Sequence, residues 1–154
     1  MGVTTLWLTP LFEQVEKLVY QKYAAIHGYW TRDFKRINPR YIAAGEDPSL
    51  FQEKETTFDR LVAEMHRRGM KLVLDIVCNH SSPEAAPGEK GRLYDDGKLI
   101  ADFNDDKKHW YHHYGEVKDW NDEWQVHNCE LAGLATFNEN NAHYRAYIKS
   151  AIKL

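Results

Sequence analysis

Cysteine is scarce in this sequence: 154 residues hold two, Cys78 and Cys129, far apart and in no CxxC spacing. Such a pair builds neither a disulfide framework nor a thiolate zinc site. Long apolar runs are missing too. None approaches the roughly 20 residues of a membrane span, and the opening MGVTTLWLTP has no basic region, apolar core and cleavage site of the kind that directs export. Charge of one sign is also lacking, since 20 basic and 23 acidic residues are interspersed to a net −3 with no basic block. That balance argues against nucleic acid or an anionic membrane as partner and for a neutral one. There is no internal repeat and no low-complexity tract. What remains is 43% apolar and 13% aromatic, enough to bury a core.

The most informative stretch is Lys71 to Pro83, KLVLDIVCNHSSP. Its unbroken apolar start, directly after a helix-period segment, predicts a strand of a parallel sheet buried on both faces. Asp75, Asn79 and His80 leave that run at the strand's carboxyl end, where ligands meet such sheets. A first strand is expected over Gly2–Thr9, ended by Pro10. Leu11–Ile26 reads as a helical turn or loop above the sheet. The GEDPS segment is a turn by its Gly, Asp and Pro content. Thr56 to Gly69 predicts a helix with Thr56 or Thr57 as cap, Phe58, Leu61, Val62 and Met65 on its inner stripe, and Gly69 in the left-handed position. Strand, excursion, helix, strand makes a crossover unit, so the two strands should pair in parallel. From Ser81 to Glu139 the pattern dissolves into turns (YDDGK among them) and an aromatic, His-rich segment, a length of insert that usually carries function. Asn140 or Asn141 then caps a last helix with Tyr144, Tyr147, Ile148, Ala151 and Ile152 facing inward. The pattern stops at Leu154 without a cap, as if cut.

The segments GVTTLWLTPLFE, HGYWTRDFKRINPRY, DIVCNHSSP and LAGLATFNENN, in this order, resemble the α-amylase family of glycoside hydrolases (family 13), nearest its amylase and cyclodextrin glucanotransferase branch. The resemblance covers essentially the whole chain. It implies an α/β fold, part of an eight-stranded TIM barrel: residues 1–80 hold strands two and three, 81–138 an inserted loop domain, and 139–154 the following helix. The implied activity is hydrolysis or transglycosylation of α-1,4-glucans such as starch. Retaining glycosidases need two carboxylates about 5 Å apart. The family's nucleophile and acid/base motifs have no counterpart here, so the chain reads as a truncated form.

The resemblance also assigns roles. Asp75 would be the strand-three carboxylate that supports the catalytic centre; following four apolar residues, it is expected to be buried or nearly so and to need a partner. Tyr29 would stack under the sugar and His80 would donate a hydrogen bond to it. His27, Arg32 and Asp33 offer polar neighbours, and Trp30 reads equally as a sugar platform or as core. Asn79 would contribute to a calcium site, weakened because Thr136 stands where the family places a carboxylate. Ala132, where cyclising members carry a bulky aromatic, favours hydrolysis.

Other readings compete. ADFNDDKKHWYHH fails as an EF-hand, with Lys107 at the turn glycine and His113 at the bidentate Glu. His109, His112 and His113 lack the HExxH arrangement of a zinc hydrolase, although an unrelated metallohydrolase is one alternative function. Another is a catalytically incomplete glucan-binding fragment. Strands cut from a barrel expose edges and apolar faces, so a homo-oligomer is expected. If the chain turns over by itself, the missing carboxylates must come from another copy or from Glu13, Asp33, Glu130 or Glu139.

Overall fold

The computed structural model describes residues 2–17, 22 and 24–152. Its elements run β1 (Thr5–Leu8), β2 (Phe12–Gln14), β3 (Thr31–Ile37), α1 (Thr57–Arg67), β4 (Lys71–Leu74), β5 (Leu93–Asp95), β6 (Lys98–Ala101), α2 (Glu123–Asn128) and α3 (Ala142–Ile152). β1 and β4 pair in parallel, Thr5 opposite Lys71 through Leu8 opposite Leu74, the arrangement a crossover through α1 demands. Both strands are shorter than the apolar runs that predict them.

The expectation of a strand buried on both faces is not met. Val73 is 44% and Leu74 42% exposed, and Trp7 on β1 is 74% exposed. The reason is topological: among the described residues this sheet has two strands and does not close into a barrel, so its apolar faces have little to pack against.

The second sheet has the order β2-β3-β5-β6. β3 joins β2 antiparallel and β5 in parallel. β5 and β6 form a hairpin whose two turn residues, Asp96 (φ 48°) and Gly97 (φ 84°), both have positive φ, the geometry that matches strand twist in a tight hairpin. The YDDGK turn is thus where it was expected, but the strands beside it break the reading of 81–139 as unpatterned. This sheet and α3 enclose the larger core, including Phe12, Phe34, Leu93, Phe137, Tyr144 and Tyr147. Tyr147 rivets the two layers: its hydroxyl donates to Tyr94 O at 2.7 Å and accepts from Phe34 N at 2.9 Å. Segments on both sides of residue 80 share this sheet and core.

Local rules hold at the helix ends. Thr56 caps α1, its hydroxyl accepting from Asp59 N while Asp59 accepts from Thr56 N, and Gly69 is left-handed at φ 70°. Glu46, from the GEDPS turn, accepts from Thr57 N and Ala43 N, and these amides pull its carboxyl down to about 2. Asn141 accepts from Tyr144 N at the start of α3. Phe58 joins Leu11 and Ile37 in a smaller core, with Val62 packed against it. Leu61 (45% exposed) and Ile152 (57%) do not turn inward as expected, because among the described residues no further layer covers those sides. The expected loop over Leu11–Ile26 contains β2; its residues 18–21 and 23, like Leu154, lie outside the described residues.

Candidate functional site

The end of β1 and the exit from β4 meet where Asp75 N donates to Leu8 O at 3.1 Å. The loop from His27 to Trp30 lies against this junction. Gly28 makes that possible: it has φ +86°, and a Cβ there would stand 2.4 Å from Pro10 O, so no other residue fits without displacing the loop. Gln14, only 3% exposed, fixes the loop from β2 by accepting from Trp30 N at 2.7 Å.

Tyr29 is held at three points. Its hydroxyl donates to Asp75 Oδ2 at 2.9 Å, its amide donates to His27 Nδ1 at 3.0 Å, and its carbonyl lies 3.1 Å from His80 Nε2. A carbonyl can only accept, so His80 carries its proton on Nε2. His80 Nδ1 is then a lone-pair acceptor, buried and without a hydrogen-bond partner among the described residues. By the same reasoning His27 Nδ1 is unprotonated. Burial lowers the pKa of both imidazoles, for His80 against a smaller opposing effect of the Tyr29 carbonyl and with help from nearby His27. The hydrogen bond to Asp75 is the main cause that raises the Tyr29 phenol. The His27 ring stacks on Tyr29 with centroids 5.7 Å apart and meets Trp30 edge-on at 4.6 Å. His80 is anchored in turn through its bridge to Thr136 and the Ser81 N bond to Ala135 O.

Five residues singled out in the sequence, His27, Tyr29, Trp30, Asp75 and His80, therefore form one contact cluster at the carboxyl end of two parallel strands. Asp75 is half-buried, not enclosed as expected. Its carboxylate is satisfied by the Tyr29 phenol. Arg32 and Asp33 face other partners: Arg32 pairs with Glu13 at 3.0 Å and lies 4.4 Å over the Tyr94 ring, while Asp33 is fully buried and accepts from Gly97 N and Lys35 N. Gln14 and Gly28 were missed by sequence reasoning. The HGYW string carried a signal for Gly28; a glutamine between a strand and a loop carried none.

The remaining carboxylates are committed elsewhere. Glu13 pairs with Arg32 and Arg36, Glu130 with Lys90, and Glu139 with His112. In the insert, His113 bonds Asp106 at 3.1 Å. Among the described residues no group of three His, Cys, Asp or Glu is placed to hold a metal. Calcium takes about six to eight oxygen ligands. Asn79 is exposed, its backbone carbonyl accepts from Phe137 N, and the Thr136 hydroxyl, 1% exposed, donates to Cys129 O at 3.1 Å. These two residues alone supply fewer oxygens than that ion takes.

Chemically the cluster offers an aromatic face, two neutral imidazoles and one carboxylate, groups that bind and orient a polyhydroxylated ring. Retention at an acetal needs a second carboxylate about 5 Å from the first, and none joins Asp75 among these contacts.

The family model "Alpha amylase, catalytic domain" matches residues 1–152. The chain is 34% identical over 157 residues to a cyclomaltodextrin glucanotransferase of Bacillus sp. (strain 1-1), covering 99% of this chain and 21% of that protein. It is also 34% identical over 161 residues to an alpha-amylase of Niallia circulans, covering 100% of this chain and 28% of that protein. The solved gamma-CGTase of alkalophilic Bacillus clarkii matches with TM-score 0.84 at 32% identity, over 99% of this chain and 21% of that one. An alpha-amylase of Geobacillus thermoleovorans solved with acarbose matches at 0.66 and 29%, over 99% and 27%. The chain thus spans between a fifth and three tenths of these relatives. Matched through nearly all of its residues, it belongs to the α-amylase family.

Proposed function

We propose that this chain acts on α-1,4-glucans such as starch and maltooligosaccharides, as the sugar-gripping part of a hydrolase or transglycosidase. The observation that supports this reading is Tyr29 pinned at amide, carbonyl and phenol by His27, His80 and Asp75. A ring so held presents a preorganised stacking face, and preorganisation is what converts contacts into affinity. Asp75 is the supporting carboxylate in this proposal. Ala132, in place of an aromatic, favours hydrolysis over cyclisation, which the cyclodextrin yield from starch measures.

One observation favours a second reading for the chain by itself: Asp75 is the lone carboxylate of the cluster, so the isolated chain binds glucan without cleaving it. Calorimetry with maltoheptaose and reducing-sugar release from starch separate the two. Binding lost in Tyr29→Ala is the expected outcome; activity that survives Asp75→Ala unchanged overturns the site.

A further inference from the structure

The insert carries a second aromatic cluster that the Tyr29 site does not use. Tyr114 is 59% and Trp124 53% exposed, unusual for large apolar rings. Their centroids lie 5.0 Å apart at 59°, so the rings form an open corner. The corner is built rather than loose. His112, 8% exposed, stacks beneath Tyr114 at 5.6 Å and is held by Glu139 at 2.9 Å. Trp124 sits in α2, whose start is tied by Asp122, which accepts from Trp124 N and Gln125 N.

Around the corner the sequence is polar and mostly acidic: Glu116, Asp119, Asp122 and Glu123 against Lys118 and His127. The Glu123 and His127 side chains are 92% and 71% exposed. An acidic rim repels anionic ligands. It also opposes a second copy, because a two-fold contact would set the same carboxylates face to face. Neutral polyols suit it: sugar C–H faces pack on the rings while hydroxyls donate to the carboxylates.

We propose that Tyr114 and Trp124 form a second α-glucan-binding surface, separate from the Tyr29 cluster in its residues. The choice of α-glucan rests on the function proposed above; the surface itself rests on the exposed, supported rings. It gives a long glucan a second hold, so that short oligosaccharides gain less than long ones.

The test follows the indole N–H resonances of the five tryptophans while the full chain is titrated with maltoheptaose, with cellohexaose as control. The expected result is a saturable shift of Trp124 that persists in Tyr29→Ala. It should weaken about tenfold in Tyr114→Ala and be restored in Tyr114→Phe. A shift at Trp30 with Trp124 unmoved overturns this surface and leaves the Tyr29 reading standing. No shift at either overturns both. An equal response to cellohexaose overturns the α-glucan assignment, and an unchanged isotherm in the Tyr114→Ala, Trp124→Ala double variant overturns the surface outright. Both side chains are more than half exposed, so these variants fold, which circular dichroism checks.

Discussion

The two sheets fare very differently, and the more apolar of them is the less buried. In β1 and β4, Trp7, Val73 and Leu74 face solvent, whereas in the larger sheet Phe34 and Leu93 are completely buried beneath Tyr147 and its neighbours on α3. Apolar character sets what a strand gains from burial; the layers around it decide whether the gain is realised.

The contrast is broken most directly by truncation. Phe34→Ala should cost about 3–5 kcal/mol in urea unfolding, through lost transfer energy and the cavity left behind. Val73→Ala should cost less than about 1 kcal/mol, as a partly exposed position does. Equal costs would mean that the parallel pair is as well packed as the larger sheet. Next in size is association. The free edges and the exposed Trp7, Val73 and Leu74 of the β1–β4 pair should make the chain self-associate at micromolar concentration in sedimentation, and Val73→Lys should return it to monomer. A wild-type monomer removes the expectation.

Acid should act on the Tyr29 cluster before it acts on the larger core. Burial holds His27 and His80 below their ordinary value of 6.5, so as pH falls the unfolded chain takes up these protons first. Their contribution is complete above about 6.5 and is lost as pH drops below it. Protonating His27 Nδ1 also removes the acceptor of Tyr29 N. Urea midpoints at pH 7.5 and 5.5 should fall together with maltoheptaose affinity, and a His27→Gln, His80→Gln variant should flatten the profile. The smallest effect concerns calcium. Because Thr136 bonds Cys129 directly, a chelator should leave the thermal midpoint of this chain unchanged, while Thr136→Asp should make it respond to added calcium.

Much of this was legible beforehand, and the misses share a cause. The parallel pairing of β1 with β4 followed from the crossover pattern, and Tyr29, Asp75 and His80 were each marked by motif. The β5–β6 hairpin escaped because its strands are three and four residues long, too short for alternation to register. Leu61 and Ile152 obeyed helical periodicity and still point outward, since periodicity identifies an apolar stripe without guaranteeing a neighbour for it.

What sequence alone determined is local: the Thr56 and Asn141 caps, left-handed Gly69 and the Asp96–Gly97 turn, each satisfied by groups within a few residues. Tertiary structure decided the rest. Tyr29 finds Asp75 46 residues away and His80 51 residues away, and whether Val73 is core or surface depends on which layers stand beside it. Those outcomes are set by long-range packing, where the free energy of an apolar or polar group belongs to its surroundings and not to its identity.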